Sequence, residues 1–193
     1  MKGRWLTAWL LVLASHTAHA ADLFNLDQRY ATIAFSVTNF GAFSSLGSFP
    51  RFMGKLQIDR AHPEQTKIDV EADATSVRVP WDNGTELLRG PEFFDIAHYP
   101  AVRFVSDAIK GIDPKHFLIQ GTLEIRGIKR PLALDATLER EHANMANGDE
   151  IADFSVTGTL HRSDYGMTSQ QIMISDQVML QIAARIELPP EPK

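Results

Sequence analysis

The sequence predicts an all-β protein: a single antiparallel β-barrel of about eight strands with a short helical and aromatic plug segment. Most of the chain alternates between apolar and polar residues with a period of two, which is typical of antiparallel strands with one face in water. The alternating runs are short and little helix separates them, which indicates a sandwich or a barrel. The first and last runs are both long, and pairing them would close the sheet and cover two apolar edges. The barrel is therefore the favoured prediction.

The first twenty residues have the features of a secretory signal peptide. Lys2 and Arg4 precede an apolar run over residues 5–14, and a small-x-small cleavage site ends at Ala20. A membrane anchor, the alternative, would need a longer apolar run than this one. We therefore expect cleavage after Ala20 and a periplasmic domain that comprises residues 21–193.

Charge and cysteine content exclude several classes of function. The formal net charge is −5 and becomes −7 once Lys2 and Arg4 are removed, which disfavours nucleic acid and anionic membrane surfaces as partners. The chain has no cysteine, so thiol catalysis, iron–sulfur clusters and cysteine-ligated zinc are excluded. An exported domain without disulfides must rely on its hydrophobic core, and a domain of this size can do so.

The alternating runs fix the predicted strands. They cover residues 32–39, 52–59, 67–74, 117–125, 132–138, 153–160 and 177–187, and one more strand begins after Pro100. Residues 40–50 are rich in Gly, Ser and Phe and predict a loop with apolar tips. Residues 81–88 predict a short helix with Asp82 or Asn83 as its N-cap. Gly127 predicts a tight turn between two strands.

The segment over residues 87–106 contains many apolar side chains but cannot form one continuous helix or strand. Gly90-Pro91 and Pro100 interrupt helix and strand. The apolar residues between them are Phe93, Phe94, Ile96 and Tyr99. Irregular segments normally lie at the surface, so one this apolar must be pressed into another part of the fold. We interpret it as a plug that closes one end of the barrel. A satellite cluster packed under a loop is the alternative.

Several inward positions of the predicted strands carry small residues. They are Gly54, Ala72, Ala74, Gly121, Ala136, Gly158 and Ala184. A solid core would place larger residues there, because voids destabilise a protein. The small residues favour a cavity for an apolar, linear ligand, although they could also interdigitate with Phe35, Phe117 and Phe154. The residues predicted to line or close the cavity are Phe35, Phe93, Phe94, Tyr99, Phe104, Phe117, Gly121, Phe154 and Gly158.

Motifs for catalysis and for metal binding are missing from the sequence. It has no G-x-S-x-G, no P-loop and no dinucleotide fingerprint. The histidines after residue 20 lack metal-type spacing and are interpreted as surface or rim residues; they are His62, His98, His116, His142 and His161. We interpret residues 162–164 as a strand-end turn in which Arg162 pairs with Asp164, rather than as a nucleophile site. We expect no enzyme activity, no cofactor and no metal.

An ordered set of short segments resembles one known family. The segments are residues 32–37, 47–49, 87–106, 121–131, 162–167 and 174–178. In this order they resemble the YceI-like family of exported lipid- or polyisoprenoid-binding proteins. The chain departs from the family pattern at Tyr30-Ala31, Asn39 and Tyr165. The resemblance implies a lipocalin-like antiparallel barrel with a long internal tunnel for an isoprenoid chain.

These observations predict a periplasmic carrier of an amphiphilic isoprenoid lipid, either a polyisoprenoid or an isoprenoid quinone. Arg89 and Arg162 are candidate contacts for its head group. A neutral head group is favoured over a diphosphate, because the basic residues are dispersed and the net charge is negative. An enzyme with a lipid-like substrate and a structural or stress-protective module with a solid barrel are the alternatives. The identity of the lipid and the presence of a homodimer stay open.

Overall fold

The structure is a computed structural model that describes residues 22–59 and 62–189, so the predicted signal peptide lies outside the described residues. The described chain forms one curled antiparallel sheet of ten strands. The strands are β1 Asp22–Asn25, β2 Ala31–Asn39, β3 Phe43–Ser48, β4 Phe52–Ile58, β5 Lys67–Asp73, β6 Ala101–Gly111, β7 His116–Ile125, β8 Ile128–Ala143, β9 Glu150–His161 and β10 Ile174–Leu188. The one α-helix among the described residues is α1, Asp82–Arg89, and short 3-10 helices cover Pro63–Gln65, Ala74–Ser76 and Arg162–Tyr165.

The strand order confirms the predicted all-β fold and the pairing of its first and last long strands. The order is β1-β4-β5-β6-β7-β8-β9-β10-β2-β3, and β10 pairs with β2 through partners such as Leu180 and Phe35. The hydrogen-bonded order ends at β1 and β3 instead of closing into a ring. Both are short strands, so the free edges of the sheet are short as well. The chain passes between the two edges of the sheet twice, in the connections from β1 to β2 and from β3 to β4.

The prediction of a loop over residues 40–50 was wrong, because β3 lies within it. β3 forms a hairpin with β2, in which Ser45 faces Val37 and Gly47 faces Phe35. The Gly- and Ser-rich composition hides the strand, since it lacks the β-branched residues by which strands are usually recognised. Gly47 is required by packing: a Cβ there would collide with the ring of Phe35.

Helix α1 lies close to its predicted position, but its N-cap differs from the prediction. The N-cap residue is Trp81, and no side chain caps the helix there. Thr85 instead hydrogen-bonds with the backbone of Val79, just before the helix. Gly84 makes room for the indole of Trp81, which a Cβ would contact. The helix ends at Arg89, and the Gly90 N–H donates to the Leu87 carbonyl.

The turn between β7 and β8 confirms the tight turn predicted at Gly127. Arg126 and Gly127 both have positive φ, of 53° and 70°. Two successive residues with positive φ are the geometry of a type I′ hairpin turn, which matches the twist of the flanking strands. The side chain of Arg126 reaches away from this turn, and its Nη1 donates to the Phe93 carbonyl at 2.8 Å.

Candidate ligand-binding cavity

The inward face of the curled sheet encloses a cavity of about 450 Å³. Its size lies within the usual range for small-molecule sites. Nearly all residues that line it are apolar. The side chains with polar atoms or charges in the lining are Asn39, Ser45, Trp81, Asp59, Thr66 and Arg162. The predicted apolar cavity is therefore present in the structure.

The strand registers define two ends of the cavity. At the plug end, β2 finishes at Asn39 and β10 begins at Ile174 opposite it, and the β7–β8 turn lies at the same end of the sheet. At the far end, Asp59 and Pro63 contribute to the lining from the connection between β4 and β5. Polar lining residues therefore occur at both ends, with an apolar middle between them.

The predicted plug segment packs into the core at the plug end. Phe93 and Phe94 are buried and line the cavity. The Phe94 ring lies 6.2 Å from the ring of Phe35 and 5.3 Å from the ring of Phe49, in edge-to-face contacts. The Phe94 N–H donates to the Leu88 carbonyl at 2.9 Å, which ties the segment to the end of α1. Contact with the main core favours the plug over a satellite cluster.

Tyr99, predicted to line or close the cavity, lies outside it. Its side chain is exposed, and its ring packs beside Gly127 in the β7–β8 turn. Its N–H donates to the Asp95 carbonyl, and Pro100 follows it. This short turn directs the ring across the outside of the hairpin. The sequence pattern placed it with Phe93 and Phe94 because all three lie between the same two prolines.

Besides Phe93 and Phe94, four more aromatic residues that were predicted to line the cavity do so. They are Phe35, Phe104, Phe117 and Phe154. The rings of Phe117 and Phe154 lie 6.3 Å apart in an edge-to-face arrangement. Both come from the far-end half of their strands, so this pair lies in the cavity wall away from the plug.

Gly121 and Gly158 do not lie on the cavity wall as predicted. A Cβ at Gly158 would be 2.5 Å from Cδ2 of Leu134, and one at Gly121 would collide with the ring of Phe104. Each glycine therefore makes room for a large neighbour on the adjacent strand. The interdigitation that the sequence left open is the arrangement found at both positions. A larger side chain at Gly158 would meet Leu134 rather than enter the path of a ligand.

Arg162 lines the cavity at the plug end, but its guanidinium is mostly engaged by the backbone. Its N–H groups donate to four carbonyls at 2.7–3.0 Å. These are the carbonyls of Met167, Ser169, Ile174 and Ser175. Its guanidinium also stands 5.9 Å from the centroid of the Phe93 ring. Burial lowers the pKa of Arg162, although a guanidinium stays charged in proteins.

The predicted pairing of Arg162 with Asp164 is wrong: the Arg162 donors go to backbone carbonyls, and its neighbours Ser163 and His161 contact Asp176. The Asp176 carboxylate accepts hydrogen bonds from the N–H and the hydroxyl of Ser163, at 2.9 and 2.8 Å. Nδ1 of His161 lies 3.3 Å from the same carboxylate. The carboxylate thus lies between the serine and the histidine, whereas a catalytic triad needs the imidazole between the other two groups. The cluster anchors the turn that positions Arg162.

Arg89, the second candidate head-group contact, lies apart from the cavity lining. Its Nη1 donates to Glu86 at 2.9 Å, within α1. Its Nε is buried and has no hydrogen-bond partner within the described part of the chain. It borders a shallow surface hollow together with Arg51 and Thr75. The structure therefore brings only Arg162 of this predicted pair to the cavity.

Of the lining residues with polar atoms, only Arg162 was among the predicted site residues, and the polar pair missed at the plug end is Asn39 and Ser45. Asn39 on β2 and Ser45 on the neighbouring strand β3 both line the cavity at the plug end, and the Asn39 amide donates a hydrogen bond to the Ser45 hydroxyl. Asn39 is in phase with the inward residues Phe35 and Val37, so the alternation itself could have identified it. Ser45 could not be found in this way, because β3 was not predicted.

A family model for the YceI-like domain matches residues 24–186. The chain belongs to the YceI-like family. It is 29% identical over 157 residues to a UPF0312 protein of Pseudomonas syringae pv. syringae (strain B728a), with 81% of each chain covered. It is also 29% identical over 179 residues to a UPF0312 protein of Pectobacterium carotovorum subsp. carotovorum (strain PC1), with 92% of each covered.

Solved structures show the same YceI-like fold. BcnA of Burkholderia cenocepacia superposes with a TM-score of 0.75 at 18% identity, covering 83% of this chain and 99% of BcnA. A Campylobacter jejuni YCEI protein gives 0.68 at 26% identity, covering 75% and 85%. A polyisoprenoid binding domain from Saccharophagus degradans, implicated in plant cell wall breakdown, gives 0.63 at 16% identity, covering 89% and 100%.

Within residues 22–59 and 62–189, no cluster of three or more His, Asp or Glu residues could hold a metal ion. Over the same residues, no helix has the length and apolar character needed to cross a membrane.

Proposed function

We propose that this YceI-like protein binds an amphiphilic isoprenoid lipid, a polyisoprenoid or an isoprenoid quinone, and carries it in the periplasm. The observation that carries the proposal is the cavity of about 450 Å³ with its almost wholly apolar lining. Membership of the YceI-like family supports it, as does the fold shared with a protein named as a polyisoprenoid binding domain. A linear apolar chain is the ligand that fits such a lining.

The free energy of transferring an isoprenoid chain from water into the cavity is enough to account for binding. Each CH₂ group moved from water into an apolar site contributes roughly 0.8 kcal/mol. Several isoprene units therefore supply ample binding energy without a strong polar anchor. Rings such as Phe35, Phe117 and Phe154 offer rigid apolar surface along the cavity. The chain would lie between the plug and the far end.

The plug end favours a neutral head group over a diphosphate. Arg162 is the cation that lines this end among the described residues, and four of its N–H groups already donate to carbonyls. A diphosphate would need several free cationic donors. Asn39 and Ser45 can exchange neutral hydrogen bonds with a carbonyl or amide. We therefore expect lipid affinity to change little between low and high salt.

Binding rather than catalysis is also the proposal that the lining supports. Asp59 contributes a carboxylate at the far end, and Arg162 a guanidinium at the plug end. General acid–base catalysis requires groups within hydrogen-bond reach of one reacting centre, and these two stand at opposite ends. A converted product recovered from the cavity would favour the alternative, an enzyme.

Export to the periplasm is part of the proposal, and it rests on the first twenty residues of the sequence. The periplasmic form is expected to begin at Ala21. N-terminal sequencing of protein from a periplasmic extract tests this. A membrane-bound product that still begins at Met1 would contradict it.

The cavity itself is tested by filling it. Ala184 lines the cavity from β10, while its neighbour Ala183 is exposed on the outer face of the same strand. Ala184→Trp should place an indole in the space for the lipid, and Ala183→Trp should place the same group in water. Extraction with organic solvent and mass spectrometry of the purified proteins measures the lipid content.

We expect Ala184→Trp to lose most of the bound lipid, and Ala183→Trp to keep the wild-type content. The melting temperature of each lipid-free variant shows whether the fold survives the substitution. A wild-type protein that neither co-purifies with a lipid nor takes up an added isoprenoid quinone would contradict the proposal. A folded Ala184→Trp protein with full lipid content would show that the ligand lies elsewhere.

A further inference from the structure

Two segments at the plug end contain no ionisable side chain. They are residues 39–46, which end β2 and begin β3, and residues 167–174, which lead into β10. Charged residues make up 22% of the chain, and neither of these eight-residue segments contains one. They meet in space, because the Phe40 N–H donates to the Met173 carbonyl at 2.8 Å and Asn39 pairs with Ile174.

Large apolar side chains project into solvent from both segments. Phe40 and Phe43 are each 69% exposed, and Ile172 is 99% exposed. Met173 between them is also exposed. We refer to residues 40–43 together with 172–173 as the apolar tip. Singly exposed apolar residues are common, but a contiguous group of them marks an interaction site.

The apolar tip is continuous with the lining of the cavity. Asn39 and Ser45 line the cavity from the β2–β3 hairpin, directly beside the tip. Ile174 and Met167 line it from the second segment. An apolar path from the cavity to the tip therefore runs along the second segment, through Met167 and Ile174, while the hairpin side carries the polar pair Asn39 and Ser45. A lipid chain that leaves the cavity here would meet apolar side chains before it meets water.

We propose that the apolar tip docks the protein on a lipid bilayer, with Phe40, Phe43 and Ile172 inserted among the acyl chains. Insertion of apolar side chains without basic neighbours requires no anionic lipid, which agrees with the negative net charge. The docking surface is independent of the proposed cargo. Its role as the passage between bilayer and cavity rests on the proposed lipid-binding function.

A second copy of the chain is a weaker candidate for the partner. The tip exposes four large apolar side chains at a hairpin end. A stable dimer buries about 800 Å² per partner, usually over twenty or more residues. Two narrow turns suit insertion into a fluid surface better than they suit a broad protein interface.

The far end of the barrel provides a matched control. Ile112 is 60% exposed and Met145 is 102% exposed, so they resemble the tip residues in size and exposure. Charged residues flank Ile112, however: Lys110 lies before it and Asp113 after it. Burying this turn in a bilayer would also bury those charges, which is costly. The far end should therefore stay in water.

The test is flotation of the purified protein with vesicles of pure phosphatidylcholine. The wild type should float with the vesicles, equally in low salt and in 1 M salt. The double variant Phe40→Ser/Phe43→Ser should lower the vesicle partition coefficient at least about tenfold, because each ring loses its transfer into the apolar layer. The double variant Ile112→Ser/Met145→Ser should float like the wild type.

Loading with an isoprenoid quinone from detergent solution separates the tip from the cavity. The tip variant should load to the wild-type level, so a failure of docking and a failure of lipid binding are distinct results. A wild type that does not float, or a far-end variant that loses as much binding as the tip variant, would overturn the proposal. So would a wild-type dimer that becomes a monomer in the tip variant while neither binds vesicles.

Discussion

Three glycines in these strands leave space for a large side chain that packs against them. Gly47 makes room for the Phe35 ring, Gly121 for the Phe104 ring and Gly158 for Leu134. The large partner lines the cavity in all three cases. Of the three glycines, Gly47 lines the cavity as well, whereas Gly121 and Gly158 do not. The cavity wall is therefore formed by large residues held in place over small ones. Alternation alone reveals that a glycine faces inward, but it cannot reveal which neighbour fills the space above it.

Substitution of Gly158 tests this packing. Gly158→Leu should lower the free energy of unfolding by about 1–3 kcal/mol, because the new side chain overlaps Leu134. Gly111→Leu is the matched control, since a Cβ at Gly111 would meet nothing within 4 Å. Urea unfolding of the lipid-free proteins measures both. If Gly158→Leu were as stable as the wild type and had lost its lipid, Gly158 would belong to the cavity wall after all.

Arg162 shows a role that the sequence could not indicate. It was predicted to pair with Asp164 in a strand-end turn or to contact a head group, yet it is buried and organises the backbone of residues 167–175. Carbonyl groups leave no mark in the sequence that would identify them as partners. The N–H groups of this one guanidinium satisfy backbone carbonyls that would otherwise be paired by the hydrogen bonds of a strand or helix.

Replacing Arg162 should therefore destabilise the fold more than it alters any ligand contact. Arg162→Gln leaves several buried carbonyls without a donor and should cost at least about 3 kcal/mol of unfolding free energy. Arg162→Lys should not rescue it, because an ammonium lacks the fork that reaches four acceptors. Arg103→Gln, which removes an exposed pair with Asp69, should have a much smaller effect. Equal losses in the Arg162 and Arg103 variants would contradict this role.

At the scale of the elements, the sequence predicted the long strands and missed the short ones. Strict alternation identified β2 and the strands from β4 to β10, because one face of each is buried and the other is exposed to water. β1 has four residues and β3 is rich in Gly and Ser, so neither carries enough pattern to be recognised. The plug was predicted from composition, but only the fold determines that Phe93 and Phe94 enter the core while Tyr99 stays outside.

Ion pairs on the outer face join neighbouring strands. Asp153 on β9 and Arg185 on β10 are directly paired in register, with Nε 2.7 Å from the carboxylate. The hydrogen bond from Arg185 lowers the pKa of Asp153. A carboxyl with a lowered pKa in the folded state stabilises the protein above its unfolded pKa, which is near 3.9. This contribution is lost as the pH falls through the lower, folded pKa.

We therefore expect part of the acid sensitivity of the protein to depend on Asp153. Between pH 5 and pH 2, the wild type should lose more unfolding free energy than Asp153→Asn does. Asp135→Asn, an exposed carboxyl replaced on the outer face of β8, should follow the wild type. Chemical denaturation at a series of pH values gives the comparison. Parallel curves for the wild type and Asp153→Asn would show that the pair contributes nothing across this range.

At the scale of the whole molecule, the sheet leaves a cavity where most domains of this size have a solid core. Protein interiors are normally packed like organic crystals, and empty apolar space forfeits contact energy. A cavity of about 450 Å³ lined by aromatic and aliphatic residues is therefore a stability deficit in the lipid-free protein. The sequence indicated this cavity through its small inward residues, of which Ala72, Ala136 and Ala184 line it, whereas Gly121 and Gly158 make room for larger residues of the wall.

A bound lipid should make up this deficit, so stability should depend on the ligand. Anything that binds the folded state alone stabilises it, by about 2.7 kcal/mol when its free concentration is a hundred times the dissociation constant. Removing the lipid with organic solvent and refolding should lower the melting temperature, and adding an isoprenoid quinone should restore it. Ala184→Trp, whose indole occupies the cavity, should melt at one temperature with or without the lipid. A wild-type protein that melts identically in both states would mean that the folded protein does not bind the lipid, because any ligand that binds the native state alone shifts the unfolding equilibrium.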